Sequence, residues 1–232
     1  VATGVNTMDT DPLNFNDIFI NIRNANNGFT HGIYRSTDGG NTWNSTVLNS
    51  SNGFGGLGKN LSVHAIRFHP RVKNVIFIAT SNGLYRSSDN LATFTVLIPG
   101  GIISDIEFHP TDPNYVYLIH TNTAVKSTLT ISSDMGLTFK ASGILPTFNG
   151  ANNINGFLDV TPAKPNNVYF ASGNGNSVYK SNDRGATFVK LGSMSSNSVG
   201  YFAVSDVDTL NMVSGYLNLE GSRDGGEIGR AH

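Results

Sequence analysis

Asp9, Arg67, Glu107 and Asp159 share one position, three residues before a proline in four similar stretches, and Ala203 stands at the corresponding place in a fifth. Two carboxyl groups held about 5 to 9.5 Å apart can cleave a glycosidic bond, one as acid and the other as base or nucleophile. Asp9, Glu107 and Asp159, with Asp105 beside them, are therefore the candidate catalytic carboxylates. The alternative is a hydrated lining that is merely polar, because positions along a chain carry no distances.

A second group of candidates is aromatic. Phe29, Phe54, Phe148 and Tyr201 lie among Gly and Asn, where no strand pattern demands them. Such rings either stack on the apolar face of a sugar or cap a local core. Phe29, Phe54 and Phe148, with His120 and Arg67, form the candidate ligand-binding set. His69 and His109 each precede a proline and read as turn residues, whereas His31, His64 and His120 fall outside that pattern. No His and carboxylate pair has metal-ligand spacing, Asp9-Thr10-Asp11 and Asp206-Val207-Asp208 are too short for calcium loops, and there is no cysteine. No metal or other cofactor is expected.

Bulk composition narrows the partners. The formal net charge is -1 and 13% of residues are charged, so nothing attracts nucleic acid or an anionic membrane. No apolar run reaches the roughly 18 residues of a membrane span, and the first residues lack a signal-peptide pattern. Asn44-Ser45-Thr46, Asn49-Ser50-Ser51 and Asn60-Leu61-Ser62 match glycosylation acceptors, as an Asn- and Ser-rich chain does by chance.

The elements that position these residues are repeats. Ser36-Thr37-Asp38-Gly39-Gly40-Asn41-Thr42-Trp43 returns, varied, at Ser87, Ser132, Ser181 and Ser222, and its aspartates are spaced by 51, 45, 49 and 41 residues. The shared pattern is S-x-D-x-G-x-T-[WF], carried by Ser36, Asp38, Gly40 and Trp43; by Ser87, Asp89 and Phe94; by Ser132, Asp134, Gly136 and Phe139; by Ser181, Asp183, Gly185 and Phe188; and by Ser222 and Asp224. Side chains of Ser and Asp bond turn amides and Gly accepts positive φ, so recurrence argues for a structural role. Trp43, Phe94, Phe139 and Phe188 are expected at equivalent, largely buried sites.

This pattern resembles the Asp-box, or BNR repeat, of sialidases, xyloglucanase-type glycosidases and sortilin-like receptors. The resemblance implies an all-β β-propeller of four-stranded antiparallel blades, about five being present, within one domain over 1–232. The blades run roughly 5–48, 63–98, 102–144, 154–192 and 199–229. It further implies a secreted or cell-surface protein that binds or acts on glycan or polysaccharide and, if an enzyme, a glycoside hydrolase. The alternative is a scaffold that binds protein or peptide. Sialidases grip a substrate carboxylate with an arginine cluster, and here only Arg23 and Arg67 fall outside repeat positions, box turns, the Arg71 turn and the tail, which argues against sialidase activity.

Each blade reads as a first strand ending at a proline, an asparagine four residues on, a β-rich second strand, a third strand into the box and a fourth out of it. The first-to-second and box turns share one end, and the longer, variable loops share the other. No helix is expected. The fifth unit lacks a recognisable fourth strand, and Glu227-Ile228-Gly229 replaces the expected x-Thr-Trp, which reads as a frameshift in a piece of a larger propeller.

Overall fold

The computed structural model describes residues 4–23, 31–57, 61–122, 127–142, 156–172, 177–193, 201–215, 219–225 and 229–230. They build five four-stranded sheets in which sequence neighbours pair. Sheet one joins β1 (Val5–Thr10), β2 (Ile18–Ile22), β3 (Gly32–Ser36) and β4 (Asn44–Asn49); sheet two joins β5 (Val63–Phe68), β6 (Ile76–Thr80), β7 (Gly83–Ser87) and β8 (Thr95–Pro99). Sheet three joins β9 (Ile102–Phe108), β10 (Val116–Thr121), β11 (Ser127–Ser132) and β12 (Lys140–Ala141). Sheet four joins β13 (Gly156–Val160), β14 (Val168–Ser172), β15 (Ser177–Ser181) and β16 (Val189–Ser193), and sheet five joins β17 (Tyr201–Val204), β18 (Met212–Gly215), β19 (Leu219–Ser222) and β20 (Gly229–Arg230). The only helical piece among the described residues is a 3-10 turn, Ser50–Asn52.

The fifth sheet does have a fourth strand, against the sequence expectation. At two residues, Gly229–Arg230, β20 is too short to leave a periodic pattern, and its pairing with β19 identifies it. The box aromatics also differ from expectation: Trp43, Phe94, Phe139 and Phe188 are equivalent, but all four are half-buried. Each immediately precedes the fourth strand of its sheet, an edge strand with no sheet neighbour on its outer side.

The chain falls into two compact units, Val1–Ile103 and Ser104–His232. Within each, the core lies between successive sheets. Second strands are β-branched and aromatic, and β6 and β14 are buried along their whole length, as strands covered on both faces must be. In the first unit Phe19 and Ile33 of sheet one pack with Ile66, Phe68, Ile76 and Ile78 of sheet two; the Phe19 and Phe68 rings meet edge-on at 5.3 Å. In the second, Tyr117, Ile119 and Leu129 of sheet three meet Leu158, Val168 and Phe170 of sheet four, while Tyr169, Ala171 and Val178 meet Phe202, Val204 and Met212 of sheet five. Each fully buried large apolar side chain contributes on the order of 1.5 to 3 kcal/mol.

Candidate functional site

The box turns consume their own polar groups. Ser36 Oγ donates to Asp38 Oδ1 at 2.7 Å and accepts from Gly40 N at 2.8 Å; Thr42 N and Oγ1 then donate to the two Asp38 oxygens at 2.9 and 2.6 Å. The same bonds recur around Asp89, Asp134 and Asp183. Around Asp224 the Ser222 half is present. Each turn needs two residues at positive φ: Gly39 and Gly40, Asn90 and Leu91, Met135 and Gly136, Arg184 and Gly185. The first of each pair donates its N–H to the carbonyl of Asn16, Asn74, Asn114 or Asn166, so box turn and first turn are tied at one end of every blade. Hydrogen bonds from Thr42 hold Asp38 down at about 2, and those from Ser181 and Thr187 do the same for Asp183. Partial burial opposes the bonds at Asp134, which still falls to about 2. Thr93 bonds lower Asp89.

The innermost strands use carboxylates differently. Asp9 Oδ2 accepts from Phe68 N at 2.7 Å, Asp105 Oδ2 from Leu158 N at 3.0 Å, and Asp159 Oδ2 from Val204 N at 2.5 Å. Every one of these bonds runs to the first strand of the next sheet. First strands are sheet edges, so one row of their amides lacks ladder partners, and the carboxylate supplies one. Asp105 and Asp159 also accept the following amide, Ile106 N at 2.9 Å and Val160 N at 2.8 Å. Asp105 stands two residues earlier in its strand than Asp9 or Asp159 do, on the same face, and is 7% exposed. Glu107 is half-buried. Burial pushes Asp159 up to about 7, with the Glu107 and Asp206 charges adding to it against the Val204 and Val160 amides.

The pre-proline residues are turn acceptors. Asp11 Oδ1 takes Leu13 N, His69 Nδ1 takes the amides of Arg71 and Val72, His109 Nδ1 takes those of Thr111 and Asp112, and Thr161 Oγ1 takes Ala163 N. Burial lowers the pKa of both histidines, which favours the neutral ring that can accept at Nδ1. Arg35 forms a two-pronged bond to buried Asp17 at 2.7 and 2.5 Å and lies over Phe19, while Arg86 covers Phe77 and Lys180 covers Tyr169.

The ligand-binding candidates fare unevenly. Phe29 and Phe148 lie outside the described residues. Phe54 is 0% exposed at φ 53°, inside the core of the first unit. That corrects the stacking expectation: no face of its ring is open to a sugar, and it buttresses His31 edge-on at 4.9 Å instead. Arg67 is half-buried and donates to its neighbour's carbonyl, Ile66 O, at 3.1 Å. His120, in the second unit, is half-buried and its carbonyl accepts from Thr128. Among the described residues no three His, Asp or Glu side chains group as a metal site would.

Sequence reasoning missed Asn21. It is 0% exposed, and its Oδ1 and Nδ2 have no hydrogen-bond partner. The signal was available by superposing repeats, which sets Asn21 where Ala79, Ile119 and Ala171 stand.

Five four-stranded antiparallel sheets, each tied at one end by its box turn, define blades of a β-propeller. The fold of a GH74 xyloglucanase from Xanthomonas campestris matches 97% of this chain with a TM-score of 0.74 at 15% identity, the chain covering 37% of it. In sequence the chain is similar to a xyloglucanase of Hypocrea jecorina, 31% identical over 66% of this chain and 19% of that protein. It is also similar to one of Acetivibrio thermocellus, 27% identical over 81% and 26%. The chain thus spans about a fifth to a quarter of the curated relatives it matches. YCF48 bound to D1 peptide shares the fold at a TM-score of 0.63 and 12% identity, covering 98% of this chain and 68% of that one. No protein-family model matches. No helix among the described residues is long and apolar enough to cross a membrane.

Proposed function

We propose that this chain is a polysaccharide-binding part of an extracellular, xyloglucanase-type propeller whose ligand is a neutral β-glucan. The similarity to two xyloglucanases over 66% and 81% of the chain carries the reading. Low charge supports a neutral ligand: with 13% charged residues the surface has little to offer an anionic one. The carboxylates proposed for catalysis, Asp9, Glu107 and Asp159, are better read as parts of the scaffold. Asp9 and Asp159 spend their oxygens on backbone amides, and the charge of Glu107 serves to raise Asp159. Binding is therefore the role favoured for this stretch of chain over bond cleavage.

Calorimetric titration of the 232-residue chain with tamarind xyloglucan, alongside a reducing-sugar assay, tests this. Saturable binding with little sugar release is expected. Failure to bind any β-glucan overturns the reading, and sugar release abolished by Asp159→Asn in a folded protein overturns the binding-only role. The second reading, a peptide-binding scaffold, is favoured by the fold shared with YCF48 bound to D1 peptide. Retention of polypeptide without glycan binding would select it.

A further inference from the structure

Each sheet has two faces, because strand residues two apart share one. The face of sheet one that carries Asp9, Phe19 and Ile33 packs on the face of sheet two that carries Ile66, Ile78 and Tyr85. In the second unit the face of sheet four with Asp159, Tyr169 and Ala171 packs likewise on Phe202 and Val204 of sheet five. Tyr117, Ile119 and Leu129 of sheet three meet Leu158 and Phe170 of sheet four in the same sense. Every joint within a unit thus sets a leading face, which bears the inner carboxylate, against the trailing face of the next sheet.

Among the described residues, two such faces lie open to water. On sheet five Ala203 pairs with Val213 and Val213 with Gly221, a leading row that elsewhere reads Asp159, Tyr169 and Lys180 or Asp9, Phe19 and Arg35. Tyr169 and Phe19 are fully buried, whereas Val213 is 36% exposed and Tyr201, on the same face, is 42% exposed. On sheet one the trailing row is Met8, Ile20 and Tyr34, the counterpart of Ile66, Ile78 and Tyr85 in sheet two. Ile66 and Ile78 are fully buried, whereas Met8 is 57% exposed and Ile20 half-buried. A contiguous apolar face left in water marks an interaction site.

We propose that the leading face of sheet five in one copy of this chain packs on the trailing face of sheet one in a second copy. The joints within each unit show what fits a leading face: a trailing face with the row that sheet one also presents. Neither open row carries a charge, since one is Ala203, Val213 and Gly221 and the other Met8, Ile20 and Tyr34, so the joint is apolar and needs no counter-charge. Ala203 takes the place of Asp9 and Asp159, and Thr10 stands where Phe68 and Val204 donate their amides to those carboxylates. The joint between copies lacks that bond and is weaker than those within one, which makes association reversible and dependent on concentration. Two different faces meet, so the contact is heterologous, and a pair keeps one face of each kind open to further copies. This interface is independent of the glycan reading.

Sedimentation velocity of the 232-residue chain at low and high concentration tests it, with Val213→Glu blocking one face and Met8→Glu the other. Both residues are exposed, and thermal melts that match the parent's show that the variants fold. The parent is expected to pass from monomer to dimer and larger species as concentration rises, and each variant alone to lose that association. An equimolar mixture of the two variants is expected to give dimers and nothing larger, because one intact face of each kind remains. Ala203→Asp supplies the missing acceptor and should tighten association about tenfold, the worth of one hydrogen bond to a charged group. A parent that stays monomeric at high concentration overturns the proposal. So do variants that associate as the parent does, or a mixture of the two that stays monomeric.

Discussion

Two sets of repeating aspartates, one in the box turns and one on the first strands of sheets one, three and four, spend their charge in opposite ways. At the box turns Asp38, Asp89, Asp134 and Asp183 bond only groups within four residues. On the innermost strands Asp9, Asp105 and Asp159 reach amides 59, 53 and 45 residues away. A local ring of donors in water lowers a carboxylate pKa. Shielding from water with another carboxylate near raises it. The difference teaches that recurrence alone does not fix how a carboxylate titrates: both sets recur, yet the box aspartates are lowered while burial pushes Asp159 up to about 7.

The largest expected effect is at Asp105. Asp105→Ala strands the amides of Leu158 and Ile106 in a buried place, and about 2 to 4 kcal/mol of unfolding free energy should be lost in urea melts. A loss under about 0.5 kcal/mol would show that the inner carboxylate does not join sheets three and four. Next comes the box: Ser181→Ala removes the acceptor of the Asp183 and Gly185 amides and should cost about 1 to 3 kcal/mol. Gly185→Ala sharpens this, because the residue sits at φ 87° and an added Cβ would lie 2.5 Å from Leu129 Cδ2. It should destabilise, although Leu91 occupies the equivalent place at φ 62°, where its side chain is buried in the core.

The two sets also predict opposite pH slopes. The lowered box aspartates contribute stability that is complete above the unfolded value near 4 and lost as pH falls toward about 2. Asp159, raised to about 7, contributes the reverse: its protonated form favours the folded state, and that contribution is lost as pH rises from about 4 through about 7. The difference in melting temperature between the parent and Asp159→Asn should therefore change between about pH 5 and pH 8; parallel curves would remove the shift. The smallest effect is expected at Thr93→Val, an exposed box position whose hydroxyl bonds Asp89 at 2.6 Å. Water replaces that bond, so the melting temperature should fall by no more than about 3 °C.

Much of this was legible in the sequence because the box is local: the residues that bond one another lie within eight positions, so a motif records the geometry. The blade grammar was legible for the same reason. The clasp was half-legible. Charges at the shared inner position showed that Asp9 and Asp159 recur, but their partners are amides, which carry no side-chain signature, and Asp105 is displaced by two residues, which preserves its face and breaks the alignment. Phe54 misled because Gly and Asn around an aromatic suggest an exposed loop. Here those residues form the tight turn, with Gly53, Phe54, Gly55 and Gly56 all at positive φ, that folds the ring inward. Asn21 was hidden in a strand of correct pattern, where one polar residue reads as noise until the repeats are superposed.

The most direct test of the distinction between the two sets is amide hydrogen exchange in the parent and in Asp105→Ala, measured residue by residue under native conditions. That variant has no acceptor left for the Leu158 amide. The account predicts faster exchange at Leu158, across the joint to sheet four, with Thr138, whose amide bonds box Asp134 at 2.9 Å, unchanged. Equal acceleration at both amides, or none at Leu158, would contradict it.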